Sequence, residues 1–377
     1  MITKPLHLDV SEQIECAHTL GSRFYTDPAI LEIEKARIFR RTWQLVGTLS
    51  HACGQVNGAK RTIADPESFF TADLGGEPIV VVRDKQGTLR AFSNVCRHRA
   101  GPIASGSGCM NVLRCGYHGW TYTLDGRLIG TPDIDGVEFF DRSTMGMVPL
   151  RLETWEQFIF VNFDQNTEPL AAYLREIPGQ AKGFQFDGLE LAERRDYVID
   201  CNWKVYVDNY LEGYHIPIAH PGLMREIDYS QYRTDTFRYH SQQFAPIRAM
   251  KAEDAGERFY APGKGSQEAL YFWVFPNLML NIYPDNVSTN LIVPLSQDKT
   301  LTIFEWFFHD AASAKVQERI HKAVAFSDEV QQEDIGLCES VQRGLRSSTY
   351  DRGRYSVKRE NGVHHFHMLL GEFLERP

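Results

Sequence analysis

Two cysteines and two histidines constrain this chain most: Cys96-x-His98 and, after sixteen intervening residues, Cys115-x-x-His118. For four soft ligands to serve one centre, both segments must become neighbouring loops on a common support. Each loop brings one thiolate and one imidazole. That split suits a pair of irons, with both thiolates on one and both imidazoles on the other. Neutral imidazoles leave such a cluster less negative than four thiolates would, so it accepts an electron at a higher potential. The rival is a structural zinc, which mixed Cys/His sets also bind; a zinc finger, however, groups its Cys pair apart from its His pair. The flanks, Cys96-Arg97-His98-Arg99-Ala100-Gly101-Pro102 and Cys115-Gly116-Tyr117-His118-Gly119-Trp120, place glycine where tight turns need it.

This motif resembles the [2Fe–2S] site of the Rieske non-haem iron oxygenases. Respiratory Rieske proteins carry a further Cys in each loop, and the matching positions here have none, so the resemblance is to the oxygenase branch. Of the seven cysteines, two go to the cluster; Cys109 lies between the loops but has no His at ligand spacing. The odd number and irregular spacing do not make a disulfide framework, and the other five read as reduced thiols of a cytoplasmic protein.

A chain of 377 residues is long enough for two domains with their own cores. Its net charge of −9 and lack of basic runs argue against nucleic acid or an anionic membrane as partner. No apolar run approaches the ~20 residues of a spanning helix. Met1-Ile2-Thr3-Lys4-Pro5-Leu6-His7 lacks the apolar core of a signal peptide. Pro28 to Phe39 reads as a helix, with Asp27 as cap and Pro28 in the first turn. From Trp43 to about Phe163 short β-rich runs alternate with glycine turns, as in Pro78–Arg83 and Gln157–Asn162, and Trp120–Gly126 reads as a hairpin leaving the second loop. The expected domains are residues 1–42 as an N-terminal helical part of the catalytic domain, 43–165 as the cluster domain, and 166–377 as the catalytic domain. In the last, Leu270–Tyr283 and Leu301–Phe308 are strand-like and a long helix runs from about Ala311 to Arg346.

A second constellation lies at Asn202–His220. The stretch up to Tyr214 reads as a helix with Asp208, Glu212 and His215 on one face, Pro217 ending it and His220 on the turn beyond. Two histidines converging at a helix end suit a metal. On the long helix, Val330, Leu337 and Val341 flank Asp334, which places it on an apolar face, while Glu329, Glu333 and Glu339 point towards water. A carboxylate on a buried face needs a partner or a metal. His215, His220 and Asp334 would make a 2-His-1-carboxylate triad for Fe(II) with open positions. Taken singly, His-x4-His is a weak signal, and no spacing rule selects Asp334 over Asp328. Asn202 reads as a helix cap and Asn209 as structural. His364-His365-Phe366-His367 reads as a C-terminal strand or packing segment, and His240 and His309 as lone structural histidines.

The resemblance covers nearly the whole chain, and it implies the rest. The fold would be α+β: an all-β Rieske domain inserted in a helix-grip catalytic domain of antiparallel sheet and long C-terminal helix. The family places a metal triad where His215, His220 and Asp334 stand, and an acid bridging to a neighbouring subunit's cluster where Glu212 stands, with Asp208 as the alternative. Many members have Asp at that bridging position, so Glu212 is a departure with one more methylene of reach. These enzymes are commonly trimers and use O2, with NAD(P)H electrons arriving through a separate flavin and iron–sulfur reductase. No dinucleotide glycine motif occurs here, since Gly106-Ser107-Gly108 lies inside the cluster region. The segments Asp208–His215 and Trp273–Asn277 look most like the branch acting on choline, carnitine and betaines. Tyr206, Tyr210, Trp273 and Tyr283, with Trp203 and Phe272 nearby, are candidate pocket aromatics, and such rings attract quaternary ammonium groups. The same rings would suit an aromatic acid, hydroxylated or demethylated. The non-enzyme alternative is a Rieske electron carrier, which leaves the second constellation without a purpose.

Overall fold

The computed structural model describes residues 6–246 and 269–375. The first five residues of the segment weighed against a signal peptide lie outside the described residues. The chain forms two compact units: Met1–Ile38 with Tyr173–Pro377, and the inserted Phe39–Ala172. Among the described residues no helix is long and apolar enough to cross a membrane.

The inserted unit is all-β. Its seven-stranded antiparallel sheet runs Gln44–Thr48, Phe158–Asn162, Pro149–Trp155, Leu89–Ser93, Glu77–Arg83, Ser68–Leu74, Ser107–Cys109. The run Ile79-Val80-Val81-Val82 is wholly buried because both faces of its strand are covered. Ile79 and Val81 pack with Phe70, Leu150 and Val161 on one side. Val80 and Val82 pack with Cys96, Cys115, Trp120 and Tyr122 on the other. The period-two alternation of one strand therefore ties the cluster loops to the core of their domain. The expected hairpin is present as Thr121–Thr123 paired with Leu128–Gly130.

The larger unit is α+β, as the sequence led us to expect. Its antiparallel sheet has the order Leu189–Ile199, Lys299–His309, Asn286–Ser296, Leu278–Tyr283, Leu270–Val274, His240–Phe244, Arg233–Thr236. The helices Trp203–Tyr210 and Ala314–Leu345 pack against it and against each other. Leu270–Tyr283 is two strands of a hairpin rather than one, turning at Phe275–Asn277. His364–His367 is not a strand: it lies in the helix Asn361–Glu375, whose Val363, Phe366, Leu370 and Phe373 are buried at helical period. At the N-terminus, Pro28 opens the helix Pro28–Glu34, and Asp27 caps it by accepting from Ala29 N.

Candidate active site

The two cluster loops share one backbone solution. Cys96 N donates to Gly101 O at 2.8 Å and Ala100 N to Cys96 O at 3.0 Å; Cys115 N donates to Trp120 O at 2.9 Å and Gly119 N to Cys115 O at 3.0 Å. Each loop needs a left-handed residue four beyond its cysteine, supplied by Ala100 (φ 57) and Gly119 (φ 74). Ala100 holds this conformation despite its Cβ. Both cysteines are buried and free of disulfides. The rings of His98 and His118 meet at 4.6 Å, and His98 stacks on Trp120 at 4.9 Å. His98 Nδ1 is buried with no hydrogen-bond partner among the described residues. Desolvation, with the neighbouring His98 and Arg99, lowers the pKa of His118. Two sheltered thiols, two adjoining imidazoles and an orphaned ring nitrogen fit a metal–sulfur cluster held at one end by cysteine and at the other by histidine. Tyr122 OH lies 3.3 Å from Cys96 Sγ and accepts from Arg97 N at 3.1 Å. Cys109 stands apart, against Ser68 and the Cys53 carbonyl.

The second constellation is built differently from the expectation. The helix stops at Tyr210, so Asp208, Glu212 and His215 do not share a helical face. A Cβ on Gly213 would fall 2.5 Å from the Tyr232 ring, so the chain turns there against tyrosine. The Glu212 carboxylate accepts from the Tyr214 and His215 backbone amides within this turn. Pro217 does not end a helix; it sits in the first turn of the short helix Ile216–Ala219, with His220 between that helix and Pro221–Glu226. Asn202 caps Trp203–Tyr210 by accepting from Lys204 N.

The turn brings His215 Nε2 within 3.1 Å of His220 Nε2, and Asp334 Oδ1 lies 3.1 Å from the latter and 3.7 Å from the former. His215 Nδ1 donates to Glu212 Oε1 at 2.5 Å, and His220 Nδ1 to Glu333 Oε2 at 2.6 Å. A carboxylate only accepts, so each ring's proton sits on Nδ1 and each Nε2 presents a lone pair. Two lone pairs and a carboxylate oxygen thus converge, which is repulsive without a cation between them. Bonds of about 2.1 Å at right angles put neighbouring ligand atoms about 3.0 Å apart, close to this arrangement. Burial disfavours charge on His220, yet Asp334 and Glu333 outweigh it and raise its pKa above the ordinary value. The carboxylates that favour a proton on His220 also favour a metal cation there. His215, His220 and Asp334 form the one group of possible metal ligands of this kind among the described residues.

One neighbour, Glu333, escaped the sequence, and Asn209, read as structural near the site, has a more specific role. Glu333, expected to face water, holds His220; its position beside Asp334 was the only signal. Asn209 Nδ2 donates to Asp334 Oδ1 at 2.7 Å and so orients the carboxylate. The apolar face assigned to Asp334 is not the buried one: Leu337 and Val341 are 37% and 51% exposed, and Gln331, Cys338 and Gln342 are buried instead. Asp208 turns away from His215, accepting from Tyr25 OH at 2.7 Å and from His367 Nε2 at 2.9 Å.

A cavity of about 190 Å³ opens at the three converging atoms. Tyr206, Tyr210 and Tyr283 line it, as expected. Trp273 does not: it packs on Phe366 at 5.3 Å and donates to Pro276 O, because the C-terminal helix covers that end of the sheet. Trp203 is likewise buried, with its Nε1 on Glu34, and Phe272 lies in the core. Eight aromatic side chains line the cavity, Tyr232, Tyr271 and Trp306 among them; its acids are Glu212 and Asp334, and no lysine or arginine occurs among the described lining residues.

Residues 55–141 match the family described as the Rieske [2Fe-2S] domain, and 186–376 the ring hydroxylating alpha subunit (catalytic domain). The chain is 39% identical to the chloroplastic choline monooxygenase of Arabidopsis thaliana, over 95% of this chain and 83% of that protein. It is 31% identical to the carnitine monooxygenase oxygenase subunit of Escherichia coli (strain K12), over 94% of each. The crystal structure of the quaternary ammonium Rieske monooxygenase CntA in complex with L-carnitine superposes with a TM-score of 0.81 at 31% identity, over 99% of this chain and 100% of that one.

Proposed function

The chain belongs to the Rieske non-haem iron oxygenases, as a ring-hydroxylating-type alpha subunit, and from that premise we propose that it hydroxylates a small quaternary ammonium compound. It is the oxygenase component of a multi-component system and takes its electrons from a reductase. The observation that carries the substrate class is the cavity wall: aromatic rings and carboxylates beside the converging ligand atoms, without a described cation. Ring faces and acids attract a permanent cation that can donate no hydrogen bond, and a trimethylammonium group is of that kind.

Cys96, His98, Cys115 and His118 would hold the [2Fe–2S] cluster, and His215, His220 and Asp334 the mononuclear iron. Bound there, the iron supplies O2 activation with electrons relayed from the cluster. Glu212 fixes the tautomer of His215 and, in a homotrimer, would link it to the cluster held by a neighbouring copy; Asp208 is engaged by Tyr25 and His367 instead. Glu333 and Asn209 orient His220 and Asp334. The tyrosine-rich wall keeps water from the reacting carbon and orients the cation. A flavin and iron–sulfur reductase using NAD(P)H feeds the system, and the free cysteines suit a cytoplasmic setting.

The test is O2 consumption by the iron-loaded protein with such a reductase and NADH. Choline or carnitine should stimulate uptake with matching hydroxylated or aldehyde product. Uptake coupled to product with an aromatic acid alone would overturn the substrate class and leave the oxygenase assignment standing.

A further inference from the structure

One row of residues crosses the sheet beneath the cavity: Gln243 faces Tyr271, Tyr271 faces Asn281, Asn281 faces Ser288, and Ser288 faces Trp306. Each of these lines the cavity, as does Asn286 one pleat away. Three side-chain amides thus stand among the rings of this wall, with Asn290 beside them. How they spend their hydrogen bonds decides what the wall can accept.

Each of the three amides spends an N–H within the protein. Gln243 Nε2 donates to the backbone oxygen of Tyr210, Asn286 Nδ2 to Asp285 Oδ1 at 3.0 Å, and Asn281 Nδ2 to Ser288 Oγ at 3.2 Å. Elsewhere on the lining, Asn209 gives its N–H to Asp334 and Gln331 gives its own to Thr302. Turning Gln243 or Asn286 over would press oxygen against oxygen, so their orientations are fixed. Gln243 Oε1 and Asn286 Oδ1 are both buried without a hydrogen-bond partner among the described residues. The two residues are 4% and 1% exposed, so bulk water does not satisfy these oxygens. Arg319, on the long helix, is tied to Asp285 and brings no net positive charge to Asn286.

Building on the quaternary ammonium reading, we propose that Gln243 and Asn286 make the site select a quaternary ammonium alcohol over a carboxylate-bearing zwitterion. A hydroxyl can donate to either orphaned oxygen. A carboxylate can donate to neither, and no lysine or arginine among the described lining residues is there to pair with it. The hydroxyls of Tyr271, Tyr283 and Ser288 turn to suit either partner, so the orphaned oxygens set the preference.

Isothermal titration of the anaerobic, iron-loaded protein with choline, glycine betaine and tetramethylammonium tests this. Choline should bind about tenfold more tightly than either of the others, the worth of one hydrogen bond to a buried acceptor. Gln243→Leu and Asn286→Leu, made separately, should bring choline towards tetramethylammonium while the affinity for tetramethylammonium itself holds, which also reports that each variant is folded. Equal or tighter binding of glycine betaine, or an unchanged choline-to-tetramethylammonium ratio in both variants, would overturn the selection. Binding of none of the three by the unaltered protein would overturn the quaternary ammonium reading itself, and this inference with it.

Discussion

Glu333 Oε2 lies 2.6 Å from Nδ1 of His220, mirroring Glu212 Oε1 at 2.5 Å from Nδ1 of His215. Both imidazoles are therefore gripped from behind by a carboxylate, and both present a bare Nε2 to the same point. The two acids sit in different settings. Glu212 belongs to the turn that carries His215, whereas Glu333 reaches His220 from the long helix, beside Asp334.

Glu333→Ala should weaken retention of the mononuclear iron by about 10–100-fold, the usual cost of losing such a carboxylate. Iron remaining after dialysis against a mild chelator reports it, with the cluster's EPR signal as internal control. Retention equal to the unaltered protein would show that His220 needs no help to keep its orientation.

Glu212→Ala should weaken retention of the mononuclear iron as Glu333→Ala does, and in addition, once reloaded with Fe(II), should slow oxidation of the reduced cluster in single turnover with substrate and O2 by about 10–100-fold. An unchanged rate in the reloaded variant would reassign Glu212 to holding His215 alone.

Tyr122 OH, 3.3 Å from Cys96 Sγ, donates to a sulfur that grows more negative on reduction. Tyr122→Phe should lower the cluster's potential: a bond stronger by about 1 kcal/mol in the reduced state is worth about 40 mV for one electron. Spectroelectrochemical titration measures it, and an upward shift would contradict the donor role.

Acid should destabilise the catalytic unit through two buried histidines. Burial holds the pKa of His240 down at about 4, and burial with the nearby His240 holds that of His365 at about 4. An unfolded histidine takes its proton near about pH 6.5, so between there and about pH 4 the unfolded chain binds more protons. The stability is fully present above that window and is lost as pH falls through it, at no more than about 2.7 kcal/mol per pH unit for the pair. Urea-unfolding midpoints from pH 7 to 4.5 should fall, and His240→Phe should flatten the slope. An unchanged slope in the variant would place the acid sensitivity elsewhere.

The cluster motif was legible because its ligands are local: one or two residues separate each cysteine from its histidine, so the chain itself limits how far apart they can lie. The β texture of the inserted unit was legible for a similar reason, in runs such as Ile79–Val82 whose alternate residues enter two cores. His215 and His220 stood out by proximity, but the helix assumed beneath them did not survive. Gly213 and the carboxylate of Glu212 turn the chain there, and that turn depends on the distant Tyr232 ring. Family resemblance, not spacing, singled out Asp334.

What the sequence alone determined was the ligand chemistry: which side chains can hold iron, and that they come in two sets. Tertiary structure decided the partners. Glu333 was misread because hydrophobicity located the wrong face of the long helix. The buried face is lined by amides, Gln331 accepting from Tyr206 OH and Gln342 from Asn202 N. Trp273 was misread because the helix that buries it lies about ninety residues further along the chain. Amphipathic period records how greasy a face is. It does not record which polar groups on another element will meet it, and those meetings position the metal ligands and leave two amide oxygens at the cavity.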